Sequence, residues 1–470
     1  MSGAAADQQM TAEVQVVFKT NLPEDFQVPD VQINISASST AKELTQIVKQ
    51  MLSEEGKVEE DVLKGKKFNF MIENVFVTGT VQELIDKQGK GGEETIEVYY
   101  TFALDKPKPS KSIPQDEWIC TVKSLSHILN EKAKTYIVGF FNGDLKVFDK
   151  GTHAELYSVK QLHQDNIIED ALFLKNDVLD KKLIVTAGAK PTAELKISEL
   201  SHSMVGGAKA YQFQTIAQSK DELNGSESFG CLSNNPLNNQ FICSSGPIIH
   251  QEDGAGVHEQ GILIWKLDQN ILKKDALPQK LGAPTKRVRT DAVQEISPHA
   301  KIHCSGGISS LKWSGPGKIF AGCNDHSLKL VNVERQQIEE ILFTQHKVPT
   351  ALDASKETSL ISGHEDGIVR LWDVRSGSSS NYKSQFDSHS KWISQVRFNP
   401  TVDNIFLSAS YDGTVKLWDL RNAETPLATL KKKEGGESYK VFAVEWNGPS
   451  QIVSGGSDSQ VSVHTIGKEE

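Results

Sequence analysis

The chain has 470 residues, 38% of them hydrophobic, with 35 glycines against 16 prolines; it is too long for one ordinary core and implies at least two folding units rich in tight turns. Lys and Arg number 51 and Asp and Glu 61, a net charge of −10, which excludes a whole-surface attraction to nucleic acid and leaves only local basic patches. Met1 to Met10 lacks the basic start and apolar run of a signal peptide, and no stretch approaches the roughly 18 uninterrupted apolar residues of a membrane span, so a soluble, intracellular protein without membrane contact is expected.

Residues 13 to 104 carry no long repeat. Glu13 to Thr20 and Val31 to Ser36 alternate apolar and polar side chains, as half-buried strands do. Thr40-Ala-Lys-Glu43 is a capping box opening a helix with Leu44, Ile47, Val48, Met51 and Leu52 on one face. Phe68 to Ile72 reads as a strand, Thr80-Val-Gln-Glu83 as a second capping box before a short helix, and Thr95 to Phe102 as a last strand. That order is the order of a β-grasp, so an α+β ubiquitin-like domain is predicted over 11–104. Asp105 to Ser112, rich in Pro and Lys, reads as a semi-extended linker within 105–115.

From residue 116 onward the pattern changes to short hairpins. Tyr136 to Asp149 ends in Phe148-Asp149; Leu183 to Ile197 is a weaker copy; Phe241 to Ser245 and Gly261 to Lys266 make a third, separated by a polar insertion of about fifteen residues. A basic insertion at about 268–300, holding Lys286, Arg287 and Arg289, is placed between the third copy and a fourth around Asn324 to Val331. The clearest copies are Leu360 to Asp373 and Leu407 to Asp419, both ending Leu-Trp-Asp, and a last one runs from Val441 to Val463. Asp366 and Asp412 lie 46 residues apart, Asp458 follows after another 46, and Asp325 precedes by 41. A spacing of roughly 40–45 residues with Trp-Asp endings is the signature of WD40 blades. An all-β, seven-bladed WD40 β-propeller is predicted over 116–467. Its last blade ends near the C-terminus, so a strand near Lys108 to Ile113 is expected to complete it and cover the open edge.

In such a blade a His, a Ser, a Trp and a turn Asp form one buried hydrogen-bonded network. The matching residues are His389, Ser408, Asp412 and Trp418 in one copy and His346, Ser362, Asp366 and Trp372 in the one before. Ser, His and Asp together suggest a hydrolase, but a nucleophile is unique and this set recurs, which favours an architectural role. Gly89-Lys-Gly-Gly92 lacks the GxxxxGK[ST] spacing of a phosphate loop, and His364-Glu365 has no second His four residues on, so His364 reads as a hairpin-turn residue. Cys120, Cys231, Cys243, Cys304 and Cys323 are scattered without a CxxC pair, as expected of reduced thiols packed as small apolar residues. No enzyme activity, cofactor or intrinsic metal is expected.

A ubiquitin-like domain followed by a WD40 propeller resembles ribosome-assembly proteins of the Notchless-like type. The chain is most similar to the WD repeat-containing protein 12 family, through Asp116-Glu-Trp118 ahead of the propeller, Lys440 to Trp446 in the last blade, and the basic insertion. Notchless itself is expected to carry an eighth blade and more regular repeats. The resemblance implies a factor for maturation of the large (60S) subunit and its rRNA. It implies a PeBoW complex with Pescadillo and the block-of-proliferation protein, on which the propeller docks, and a location in nucleolus and nucleoplasm. It also implies an N-terminal domain gripped by the AAA+ ATPase Midasin, whose metal site takes a ligand carboxylate and which removes the factor from pre-60S particles. The matching carboxylate is Glu93, with Glu94 its neighbour and rival; from the residues alone both read as solvated loop charges. Lys286, Arg287 and Arg289 read as an rRNA contact, an import signal or a solvated loop. The competing readings are a generic WD40 adaptor, such as a ubiquitin-ligase substrate receptor, and Notchless.

Overall fold

The computed structural model describes residues 13–56, 58, 60–73, 75–88, 95–124, 135–164, 166–176, 181–189, 194–205, 208–219, 229–236, 240–252, 255–267, 293–315, 317–344, 347–355, 359–373, 382–402, 404–431 and 439–467. The chain forms two compact units, one of residues 1–106 with 421–424 and one of residues 107–420 with 425–470.

In the first unit, strand Glu13–Lys19 turns Val14, Val16 and Phe18 inward. It pairs antiparallel with Ile33–Ser36 and parallel with Ile96–Phe102, which in turn pairs antiparallel with Phe68–Ile72. The helix Ala41–Glu54 starts at the Thr40/Glu43 capping box and buries Leu44, Val48 and Leu52 against this sheet. The second box, at Thr80 and Glu83, opens helix Val81–Gln88. A short helix, Glu60–Lys64, and a two-residue strand, Val75–Phe76, add to the predicted order. The Tyr100 hydroxyl donates to the Phe26 carbonyl at 2.7 Å and accepts from the Val28 amide at 2.9 Å; this ties the one-turn segment Glu24–Phe26 to the central strand.

Among the described residues the second unit forms seven sheets, each made from its inner strand outward and antiparallel throughout except for one parallel pair at the edge of the second. The first holds Ile119–Ser124, Thr135–Phe140, Leu145–Asp149 and Glu155–Val159; the second Ile168–Asn176, Lys181–Gly188, Leu195–Val205 and Ala208–Ser219. The third holds Leu232–Asn234, Phe241–Glu252, Ala255–Lys266 and Ala300–His303; the fourth Ile308–Ser314, Lys318–Cys323, Ser327–Asn332 and Gln337–Phe343. The fifth holds Pro349–Ser355, Ser359–His364, Ile368–Asp373 and Ser384–Asp387; the sixth Ile393–Phe398, Ile405–Ser410, Thr414–Asp419 and Ala428–Lys431. The seventh holds Val441–Trp446, Gln451–Gly456 and Gln460–Thr465, with Lys108–Pro114 as its outer strand. The seven inner strands pack each on the next, and the seventh packs on the first. The circuit is a β-propeller.

Polar bonds between neighbouring inner strands run the whole way round. Lys123 pairs with Asp170 at 2.8 Å, and Asp170 accepts from the Leu232 amide. Ser233 accepts from the Trp313 amide, Lys312 pairs with Asp353 at 2.6 Å, and Asp353 accepts from the Phe398 amide. Arg397 pairs with Glu445 at 3.1 Å, and Ser124 donates to Asn447 at 3.1 Å to join the seventh sheet to the first. One step outward the hydroxyls of Ser309, Thr350 and Ser394 each donate to a carbonyl on the next inner strand. Apolar contact alone would let such sheets slide; these bonds fix their register.

Two expectations about the chain path are corrected and one is met. The strand expected near Lys108 to Ile113 is Lys108–Pro114, which takes up most of the linker expected over 105–115 and pairs with Gln460–Thr465, whose amides and carbonyls would otherwise be an open edge. The polar insertion of the third copy is a continuation of its hairpin, with pairing from Gly246↔Gly261 out to Glu252↔Ala255. The basic insertion lies inside the third sheet, ahead of its outer strand Ala300–His303. Within it Gln294–Ile296 pairs parallel with Ala217–Ser219 at the edge of the second sheet. The sequence repeat begins one strand before each sheet does, and that offset is why the insertion was read as lying between blades. Every residue of strands such as Ile405–Ser410 is buried, since each sheet has a neighbour on both faces.

Candidate functional site

In the sixth sheet the four expected residues meet. Trp418 Nε1 donates to Ser408 Oγ at 2.9 Å, Ser408 Oγ lies 2.7 Å from His389 Nε2, and His389 Nδ1 lies 2.9 Å from Asp412. With Trp418 as the obligatory first donor, the protons run one way, Trp to Ser to His to Asp, and specify a neutral His389 protonated on Nδ1. Asp412 also accepts from the Ser390 and Thr414 amides. Burial alone would raise its carboxyl, but the bonds from His389, Thr414 and Ser390 hold it well below the ordinary carboxylate range. Ser408 is 0% exposed. Its hydroxyl has the partners of a hydrolytic serine and no surface on which a substrate can meet it.

The fifth sheet uses different residues for the same purpose. Trp372 Nε1 donates to Ser362 at 2.7 Å, but the histidine at 2.7 Å from Ser362 is His364. His364 is the fully buried last residue of its strand, two positions from Ser362 and therefore on the same face, and is no turn residue. Asp366 pairs with Arg370 at 2.8 Å, and His346 lies outside the described residues. Sequence reasoning missed two partial versions. His163 Nε2 meets Thr186 at 2.8 Å in the second sheet, and Trp265 donates to Ser244 at 2.9 Å in the third. A Ser at the fourth residue of the second strand, or in the second sheet a Thr at the sixth, was the legible signal.

Turn geometry explains the glycines beside these aspartates. Gly367 and Gly413 have φ of 82° and 83°, which only glycine adopts freely. A side chain there would strike the His389 carbonyl at 2.5 Å or the Tyr439 carbonyl at 2.7 Å, both in the segment leading to the next sheet.

Burial pushes His163 and His364 down to about 3, against about 6.5 in an unfolded chain. The unfolded state therefore binds more protons between those values, and stability is full above pH 6.5 and falls on acidification, at up to about 1.4 kcal/mol per pH unit for each histidine. Thermal unfolding at pH 7.0 and 5.0 should show a lower midpoint at pH 5.0. His163→Gln should reduce that difference; an unchanged difference contradicts the assignment.

Glu93 and Glu94, which precede the central strand Ile96–Phe102 in sequence, lie outside the described residues, as do Lys286, Arg287 and Arg289. All five cysteines are free thiols, with Cys304 and Cys323 Sγ 3.6 Å apart in the core between the third and fourth sheets. Among the described residues no three His, Cys, Asp or Glu side chains gather as a metal site. The inner strands enclose a channel of about 1350 Å³ lined by the ion pairs that brace the ring.

An NLE (NUC135) domain model matches residues 14–85, and the WD domain, G-beta repeat model matches 293–332, 338–373 and 380–419. Each WD match begins at or just before an outer strand and ends with the third strand of the following sheet. The chain is 23% identical over 465 residues to "Ribosome biogenesis protein WDR12 homolog" of Drosophila virilis, covering 97% of this chain and 96% of that one. Homologs of the same name from Oryza sativa subsp. japonica and Arabidopsis thaliana are each 24% identical, the first covering 98% of both chains and the second 97% of both. Among solved structures the propeller is similar to Raptor of Chaetomium thermophilum, with a TM-score of 0.57 and 12% identity over 78% of this chain and 30% of that one. That likeness speaks for the WD40 β-propeller fold alone.

Proposed function

The chain belongs to the WDR12 family, and on that premise we propose that it is a nuclear and nucleolar ribosome biogenesis factor acting as a non-catalytic scaffold in maturation of the large subunit and its rRNA. The observation that carries the proposal is the pairing, in one chain, of an NLE-domain match and WD repeats with end-to-end similarity to ribosome biogenesis proteins. We read the seven sheets as seven blades and the first unit, with its parallel pair of strands at the centre, as ubiquitin-like. The propeller docks on the block-of-proliferation protein within a PeBoW complex that includes Pescadillo. The N-terminal domain is the handle for Midasin, with Glu93 offering the carboxylate and Glu94 beside it; a hard divalent cation with an open position takes an anionic oxygen. The basic cluster Lys286, Arg287 and Arg289 serves import or rRNA contact.

The test is purification of precursor particles with tagged wild type and Glu93→Ala. Both should carry pre-60S particles and the two PeBoW partners, while Midasin-dependent release fails in the variant, which accumulates on particles. Normal release by Glu93→Ala with failure of Glu94→Ala moves the role by one residue; normal release by both removes the handle.

A further inference from the structure

The seven outer strands do not end alike. Those of the third, fifth and sixth sheets are four residues long, and that of the first has five and is bulged at its start. The edge of the second is covered by Gln294–Ile296, and that of the seventh carries Pro109 and Pro114 with Lys108 and Lys111. Brevity, bulges, cover, proline and lysine all guard an edge against pairing with another chain. The fourth sheet's outer strand, Gln337–Phe343, has seven residues, no proline and no lysine. It pairs with Ser327–Asn332 on one side and, among the described residues, with nothing on the other. Ile341 is 47% and Phe343 65% exposed, the latter more than any other large apolar side chain described.

The backbone groups left open on this edge follow from its pairing. The Thr344 amide donates to the His326 carbonyl at 3.0 Å, one step past the opposed pair Phe343 and Ser327. Bonded and unbonded pairs alternate along an antiparallel ladder. Leu342 and Glu340 therefore turn their amides and carbonyls toward Leu328 and Leu330, while Phe343 and Ile341 turn theirs outward. Among the described residues none of those four outward groups has a partner. The strand's one irregularity lies just before this stretch, at Glu339, between the pairs Ile338↔Val331 and Glu340↔Leu330. Glu339 accepts from Asn332 at 2.8 Å, and Glu340 has no hydrogen bond or ion pair among the described residues. Two apolar side chains and two carboxylates thus stand along a backbone edge that is ready to pair.

We propose that this edge accepts an extended, basic segment of a partner protein as a fifth, antiparallel strand, with apolar side chains beside Phe343 and Ile341 and lysine or arginine beside Glu340 and Glu339. Backbone bonds supply the affinity and the flanking side chains choose the partner. The acids select against a second copy of this chain, which would bring the same acids and a net charge of −10 of its own. The site stands apart from the ribosome reading and needs no assembly partner to be tested.

The experiment uses the full-length chain and fluorescein-labelled, capped peptides with Gly/Ser flanks around Val-Thr-Val-Lys-Lys or Val-Thr-Val-Glu-Glu, followed by anisotropy at low salt. The Lys peptide should bind at least about tenfold more tightly than the Glu peptide. Methylating the two valine nitrogens, which removes the N–H groups aimed at Phe343 and Ile341, should abolish binding. Phe343→Ser, at a side chain that the fold leaves in water, should weaken the Lys peptide severalfold. Glu340→Lys should weaken the Lys peptide about tenfold and strengthen the Glu peptide. Equal affinity for the N-methylated peptide, or an unaltered Lys-peptide affinity in Phe343→Ser at an unchanged melting temperature, overturns the proposal. So does a concentration-dependent dimer in sedimentation that Phe343→Ser dissolves, which gives the edge to a second copy.

Discussion

Deleting residues 1–114 should cost the propeller its cooperative unfolding transition, whereas deleting 1–104 should leave it. The ten residues between the two truncations include Lys108–Pro114, the outer strand of the seventh sheet, whose pairing runs from Gln460↔Pro114 to Thr465↔Lys108. Ser112 adds a side-chain bond to Gln460 at 2.6 Å, and Lys111 one to the Thr152 carbonyl at 2.7 Å. Without the strand, the amides and carbonyls of Gln460–Thr465 face water at an open edge, and Val461 and Val463, now fully buried, lose cover on that side. Several hydrogen bonds at about 1 kcal/mol each, together with part of two valines, approach the whole stability of an ordinary domain. Near-UV circular dichroism during heating separates the cases: the 105–470 chain should melt sharply and the 115–470 chain should aggregate or melt broadly. A peptide of residues 105–115 supplied in trans should restore part of the transition. Identical melting of the two truncations would show that the strand is dispensable.

Trp418→Ala is the single substitution expected to do the most harm. Trp418 is 0% exposed and stacks on Phe406 at 6.1 Å while meeting the edge of Phe386 at 5.4 Å. Loss of a buried indole costs about 3–5 kcal/mol, and Ser408, deprived of its donor, adds an unsatisfied buried hydroxyl. Trp418→Phe should cost far less, about 1–2 kcal/mol, because it removes the N–H and keeps most of the ring. The first sheet contains the relevant comparison. Phe148 occupies the Trp position and stacks on Tyr136 at 5.3 Å, and Val138 stands opposite Lys146 as Ser408 stands opposite Lys416. There the indole N–H and the serine acceptor are both missing, so neither one is left without the other. Thermal midpoints of the two variants check the order: a large fall for Ala, a small one for Phe. Equal falls would mean that the hydrogen bond, and not the packing, carries the site.

The parts of this fold that could be read in the sequence are those whose chemistry recurs at a fixed spacing. Asp366, Asp412 and Asp458 mark hairpin turns because a turn needs a carboxylate and a residue of positive φ in the same place each time, and Trp372 and Trp418 mark the third strands. The capping boxes at Thr40 and Thr80 located both longer helices of the first unit for the same reason: the chemistry is local. What was hidden depends on partners far away in the chain. The pairing of Gln294–Ile296 with Ala217–Ser219 leaves no pattern in either segment. The third sheet's hairpin continues through polar residues because its ladder is made by backbone groups, which the side chains do not announce. In the fifth sheet His364, two residues from its serine, stands where a histidine from the preceding segment was expected; either arrangement satisfies the hydroxyl, so spacing alone cannot choose. The ring contacts of Phe442 with Trp118 and Tyr411 were unreadable for a related reason: the three become neighbours only when the ring closes.

The most direct measurement of the central claim is the balance of ribosomal subunits in cells from which this protein is depleted, read on sucrose gradients with rRNA precursors probed alongside. Free large subunits should fall and large-subunit rRNA precursors accumulate while small subunits are made normally, and wild type but not the 115–470 chain should restore the balance. Unaltered large-subunit production after complete depletion would contradict the account.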